Sequence, residues 1–179
     1  MTTFEQSAQS AYSVQDYRPR PGIDGLEIVE LARFNDDGGS MTELGRLVAG
    51  RHAGLAGFEV RQVNFSTMEP LALKAFHLHR RQTDVWFVPP SDKVLLVVAD
   101  VREGSPSRGV VKRIVLGDMR SRLVRIPPGV AHGVKNLMPT RAATIVYFVD
   151  VQFSTDASCD EGRLPWDHFG TAVWDVERG

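Results

Sequence analysis

Lys74-Ala75-Phe76-His77-Leu78-His79 is the stretch whose reading decides the fold. Phe76 and Leu78 alternate with Ala75, His77 and His79 at period two, the pattern of an extended strand. Residues two apart in a strand project from one face, so His77 and His79 point into a common space. A second stretch, Ile126-Pro127-Pro128-Gly129-Val130-Ala131-His132-Gly133, also reads as extended. The two hold three of the chain's five histidines. Imidazole is suited to proton transfer near neutral pH and is the commonest metal ligand, so chemistry is expected where these stretches meet.

The flanking sequence repeats the same kind of segment. Residues 25–31 alternate apolar and acidic side chains, as a half-buried strand does, and Asn35-Asp36-Asp37-Gly38-Gly39 supplies a turn. Residues 41–48 fit a short helix or a strand equally well, and residues 52–57 read as a loop. Residues 58–66 alternate again, with Gln62, Asn64 and Ser66 on one face. After the histidine stretch come residues 85–88, a Pro-Pro-Ser-Asp turn, and the apolar run 94–101, which reads as a central strand. Residues 110–116 and 122–126 flank a Gly117-Asp118 turn. Residues 130–134 and 143–151 are expected to form a second hairpin around Met138-Pro139. The tail, 156–179, carries Trp166, Phe169 and Trp174 and is expected to pack across a sheet. Many short strands with frequent turn signals predict an all-β fold, a jelly-roll barrel or sandwich of cupin type with few short helices. Residues 1–20 read as a loose N-terminal arm, and residues 21–179 as a single domain.

Composition narrows the function classes. A chain of 179 residues can bury a sizeable core as one domain. Its 21 basic and 22 acidic residues give a net charge of -1, so neither nucleic acid nor an anionic membrane is an expected partner. The single cysteine, Cys159, excludes an internal disulfide. Residues 1–15 are polar and lack an apolar signal core, and no stretch has membrane-spanning character. A cytoplasmic protein is expected.

Several blocks, in order and at near-constant spacing, carry a family resemblance. Residues 30–39 supply an opening strand and an acidic-glycine turn. Gln62-Val63-Asn64-Phe65-Ser66 fits a Gln-x-Asn-x-Ser strand, and Lys74-Ala75-Phe76-His77 stands in an Arg-Gly-Leu-His position. Asp100-Val101-Arg102-Glu103-Gly104-Ser105-Pro106 fits Asp-x-Arg-x-x-Ser-Pro, residues 126–133 fit Ile-Pro-x-Gly-x-Ala-His-Gly, and Val146-Tyr147-Phe148 fits a Leu-Tyr-Lys strand. Over about residues 25–174 the chain thus resembles the dTDP-4-dehydrorhamnose 3,5-epimerase family, metal-free cupin-type barrels acting on nucleotide sugars. The resemblance implies His77 as the base that removes a proton alpha to a 4-keto group, and Tyr147 as the acid that returns one to the opposite face. It implies His132 beside the base and Lys74 near the developing enolate or the diphosphate. Gln62, Asn64, Glu43 and Phe34 are implied to hold the nucleotide. No cofactor is expected, and a homodimer exchanging N-terminal strands is implied. These residue types suit the reaction: a proton leaves beside a ketone only if the enolate oxygen is stabilised as it forms, and a base and an acid on opposite ring faces permit inversion.

The chain also departs from the pattern. The family's lysine just after the histidine strand is replaced by Asp84, an arginine of the acidic-glycine turn by Gly38, and a base-stacking tyrosine aligns with Gln152. The aspartate that orients the family's base belongs to a C-terminal segment read as missing here. Two further readings therefore stand beside the epimerase. One is a metal-dependent cupin enzyme using His77, His79, Asp84 and His132, a donor set suited to Fe, Mn, Ni or Zn. The other is a sugar-binding relative without catalysis.

Overall fold

A computed structural model describes residues 2–176. One short helix, α1 (Gln6–Ala11), lies in the N-terminal arm and buries no residue. The strands follow: β1 (Glu27–Glu30), β2 (Arg33–Asp36), β3 (Gly39–Thr42), β4 (Leu47–Val48), β5 (Arg51–His52), β6 (Gln62–Met68) and β7 (Leu73–Leu78). Then come β8 (Asp84–Phe87), β9 (Lys93–Asp100), β10 (Val111–Gly117), β11 (Arg122–Ile126), β12 (Val130–Asn136), β13 (Ala143–Val149) and β14 (Gly162–Arg163), closed by a 3-10 turn at Thr171–Trp174. Two antiparallel five-stranded sheets face each other in the orders β1-β11-β8-β13-β6 and β10-β9-β12-β7-β14. This is the expected all-β jelly-roll sandwich. No helix among the described residues is long and apolar enough to cross a membrane.

The chain changes sheet at nearly every connection from β6 to β14, and this corrects the expected hairpins. β10 pairs with β9, whereas β11 pairs with β1 and β8. β12 pairs with β7 and β9, whereas β13 pairs with β6 and β8. A turn signal alone does not say whether the next strand returns beside its predecessor or crosses to the facing layer. The crossing after β10 is tight: a Cβ on Gly117, at φ +72, would lie 2.1 Å from the Asp92 carbonyl oxygen. Only glycine fits that left-handed, backbone-crowded position. The crossing after β12 is held by Asn136, fully buried, whose amide donates to the carbonyls of Met68 (3.2 Å), Glu69 (3.0 Å) and Arg141 (3.0 Å) while its Oδ1 accepts from Met138 N–H (2.9 Å). The open reading of residues 41–48 resolves into the end of β3, an irregular link and β4. The alternating segment 58–66 also shifts: β6 starts at Gln62, and Phe58 instead packs with Leu55, Val85, Phe87 and Leu123 under the loop beside the first sheet.

Three apolar layers follow from this topology. Trp86, Leu96, Val98, Ile114, Val124 and Ile145 belong to the main core between the sheets. Phe76, Leu95, Val97, Ala99 and Ala131 form a second cluster with Trp174 of the tail. β9 is therefore buried on both faces, which accounts for its continuous apolar run. The tail does cross the second sheet: Phe76 packs on Phe169 and Trp174 with ring centroids 4.9 and 5.2 Å apart, and Phe76 and Leu164 exchange backbone hydrogen bonds of 3.0 Å. Trp166 stays half exposed and contributes its carbonyl to Trp174 Nε1 (2.9 Å). This tail has consequences for the site.

Asn136→Ala should strand several buried carbonyls at once. We expect a loss of about 2–4 kcal/mol in urea unfolding; a loss under about 0.5 kcal/mol, the range of an ordinary surface change, would show that Asn136 does not hold the crossing.

Candidate active site

β7 and β12 are neighbours, and their register sets His132 opposite His77. β8, in the facing sheet, brings Asp84 at its first position, and β13 places Tyr147 across from Trp86 on one side and Asn64 on the other. Between the sheets lies a cavity of about 340 Å³ whose lining includes Lys74, His77, His79, Asp84, Tyr147 and Arg163. A second hollow of about 350 Å³ shares His77 and Tyr147 and continues to Gln62 and Asn64.

The three histidines converge as the alternation predicts. The His77 ring stacks on His132 with centroids 5.7 Å apart, and His79 lies 6.3 Å from His77 and 5.5 Å from His132. His77 borders the cavity, half-buried. Arg163 donates to its Nε2 at 2.7 Å. A guanidinium cannot accept a hydrogen bond, so Nε2 carries the lone pair and the proton of the neutral ring sits on Nδ1. That nitrogen faces Glu161 Oε2 at 3.6 Å. Burial, reinforced by His132, Arg163 and His79 and only partly opposed by Asp84, lowers the His77 pKa to about 3, so the ring is uncharged at neutral pH.

Glu161 and Arg163 are the residues that sequence reasoning missed. Both come from the tail, on and beside β14, which pairs with the end of β7. The tail thus brings a carboxylate, Glu161, beside His77, from a position other than that of the family's aspartate. Their spacing of two was a usable signal, since it puts Glu161 and Arg163 on one face of any extended segment. Nearby, Asp160 accepts from the backbone N–H groups of Arg80, Arg81 and Gln82 at 3.0, 2.8 and 2.9 Å, and its own carbonyl receives His79 Nδ1–H at 2.6 Å. The tail is thereby clamped to the loop leaving β7.

In the cavity wall, Asp84 is buried. Its Oδ1 accepts from Gln82 Nε2 (2.7 Å) and its Oδ2 from Trp86 Nε1 (3.0 Å). His132 Nε2 lies 3.4 Å from Oδ2, and His79 Nε2 lies 3.9 Å from Oδ1. Burial alone would raise the Asp84 pKa, but His132, then His79 and Gln82, hold it down to about 2. His132 thus lies beside the base as expected, but it is buried and turned towards Asp84 rather than into the cavity.

The remaining expected site residues divide. Tyr147 lines both hollows; burial, with the charges of Asp84 and Glu161, raises its pKa, so the phenol stays protonated. Lys74 lines the cavity, with Nζ 3.4 Å from the Thr67 carbonyl. Gln62 and Asn64 are hydrogen-bonded to each other at 2.7 Å at the far end of the second hollow. Glu43 and Phe34 stand apart: Glu43 pairs with Arg46 at 3.1 Å, and Phe34 is exposed on the β2–β3 hairpin. The four candidate metal ligands also divide. Ligand atoms within 4.8 Å of one another belong to His79, Asp84 and His132, and separately to His77, His79 and Glu161.

Known proteins resemble this chain in sequence and in fold. The chain is 36% identical over 147 residues to the spore coat polysaccharide biosynthesis protein SpsL of Bacillus subtilis, covering 81% of this chain and 91% of that protein. Its fold superposes on a dTDP sugar isomerase of Desulfovibrio desulfuricans G20 with a TM-score of 0.70 at 26% identity, covering 82% of this chain and 87% of the other. A Legionella pneumophila dTDP-6-deoxy-D-glucose-3,5-epimerase in complex with dTDP-4-keto-L-rhamnose gives a TM-score of 0.63 at 29% identity, covering 75% and 71%. The sequence pattern of the family described as dTDP-4-dehydrorhamnose 3,5-epimerase matches residues 20–173. With that pattern spanning nearly the whole chain, the protein belongs to the dTDP-4-dehydrorhamnose 3,5-epimerase family and is an epimerase-like enzyme.

Proposed function

We propose that the enzyme epimerises a dTDP-4-keto-6-deoxy sugar by moving protons with its own side chains. The observation that carries this reading is His77: an uncharged imidazole bordering the cavity, with its Nε2 lone pair defined by Arg163 and its Nδ1–H facing Glu161. In the proposed reaction His77 Nε2 takes the proton alpha to the keto group. Glu161 then stabilises the imidazolium that forms and keeps the ring oriented, as a carboxylate does for a basic histidine. Arg163 must first give up its bond to Nε2; it is exposed, and the substrate's diphosphate is the natural partner for a displaced guanidinium. Tyr147, still protonated, returns a proton from the other side of the sugar. Lys74 supplies a positive charge towards the enolate oxygen or the diphosphate.

Gln62 and Asn64 extend the second hollow and fit contacts to the nucleotide. Glu43 and Phe34 lie outside the cavity of their own chain, so in this reading they serve a neighbouring subunit. Exposed apolar side chains on the N-terminal elements, Ile28, Phe34, Met41 and Val48, favour a homodimer in which that region is covered. We place the enzyme in the cytoplasm, where nucleotide sugars are made.

Three outcomes test the reading. In deuterated water, NMR of a dTDP-4-keto-6-deoxy sugar should show enzyme-dependent deuterium uptake beside the keto carbon; demonstrated binding without uptake would instead support a non-catalytic relative. His77→Asn should slow uptake by at least about 100-fold while leaving dTDP-sugar binding intact. Undiminished uptake would identify a different base. Tyr147→Phe should still exchange the proton through His77 but form little inverted product, and full product formation would remove Tyr147 as the acid.

A further inference from the structure

Asp84, His79 and His132 form a group whose geometry the proton-transfer reading does not use. Both imidazoles present Nε2 to the same carboxylate, and all three ligand atoms lie within 4.8 Å of one another. Both rings are fixed from behind by backbone carbonyls, His79 Nδ1 on Asp160 O at 2.6 Å and His132 Nδ1 on Val130 O at 3.1 Å. A carbonyl only accepts, so each Nδ1 carries a proton and Nε2 is the nitrogen each ring turns towards Asp84. Two imidazole nitrogens and a carboxylate converging in this way are three donor atoms of a metal-ligand type.

The strongest sign is His132 Nε2 itself. It is buried, has no hydrogen-bond partner among the described residues, and lies 3.4 Å from Asp84 Oδ2. Two ligands bound to one tetrahedral metal at about 2.0–2.2 Å stand roughly 3.4 Å apart, so this edge already has the required length. The His79 to Asp84 edge, at 3.9 Å, is longer by about half an ångström and closes with a small side-chain rotation. Trp86 Nε1 donates to the carboxylate at 3.0 Å and Gln82 Nε2 at 2.7 Å, the latter also lying 3.5 Å from His79 Nε2, and the histidines are held by carbonyls. Such supporting bonds orient and strengthen metal ligands.

We propose that His79, Asp84 and His132 bind one divalent first-row transition metal ion, such as Zn2+, Mn2+ or Fe2+, at the closed end of the cavity. His77 is outside this set, because Arg163 and Glu161 engage its two nitrogens. Three protein ligands leave a coordination position for water or a substrate oxygen. The ion would place positive charge beside the histidine cluster without taking part in the proton transfer assigned to His77 and Tyr147. The inference does not require the epimerase reading: an ion can bind whether or not the cavity exchanges protons.

The test uses the purified full-length protein, stripped with a chelator and titrated with Co2+. We expect saturable visible absorption from a low-symmetry site and one ion per chain by calorimetry. Asp84→Asn should weaken binding by more than the roughly 10–100-fold that loss of a supporting hydrogen bond costs. Glu161→Gln, which removes the carboxylate of the other candidate group, should leave affinity unchanged. Absence of saturable Co2+ uptake by the wild-type protein overturns the proposal whatever the variants do. So does loss of binding in Glu161→Gln with retention in Asp84→Asn. Deuterium exchange measured on the stripped protein reports separately on the epimerase reading.

Discussion

A carboxylate placed between two β-sheets is tolerated only if its surroundings supply donors and positive charge, because an unpaired buried ion costs several kcal/mol. Asp84 is that carboxylate here. Gln82 and Trp86 donate to it, and His79 and His132 stand on its remaining side. The two histidines are fixed in turn, His132 by Val130 and His79 by Asp160 of the tail. Much of the site's order follows from satisfying this one charge. His77 borders the cavity above it, stacked on His132, and its low basicity reflects the same burial and the same crowd of imidazoles.

The tail has a structural and a chemical part. Its aromatic residues cover the outer face of the second sheet, where Trp174 packs on Phe76 and lies so close to the strands that a Cβ on Gly133 would stand 3.0 Å from its Cη2. Its charged residues enter the site from the sheet edge, where Asp160 anchors the loop after β7 and Glu161 and Arg163 frame His77. Packing and chemistry are therefore coupled. A side chain that loosens Trp174 also loosens the groups that define the proton positions on His77.

Much of this was legible in the sequence. The period-two alternation around His77 and His79 showed their common face, and the second extended stretch put His132 where the two stretches were expected to meet. The apolar run of β9 read as a central strand, and the structure adds why: it is covered on both sides. Sheet membership was not legible, because a turn with glycine serves a hairpin and a crossing between layers equally well. Asn136 carries part of that information through the carbonyls of Met68 and Glu69, far away in the chain. Glu161 and Arg163 were hidden for a related reason. They reach His77 through a pairing of only two residues at the edge of β7, too short to leave a hydrophobic period.

The replacement of a lysine by Asp84 reads differently once the structure is known. On the cavity wall it is the centre of a network of donors, so the charge balance beside the base is arranged around an anion. What the account asserts most strongly is where the sugar meets that arrangement. A crystal structure with a bound dTDP-4-keto-6-deoxy sugar, or an inert analogue, tests it most directly. The account predicts the carbon beside the keto group within about 3.5 Å of His77 Nε2, with Arg163 turned away to the diphosphate. A sugar seated elsewhere, or an Arg163 that still caps His77 in the complex, would contradict it.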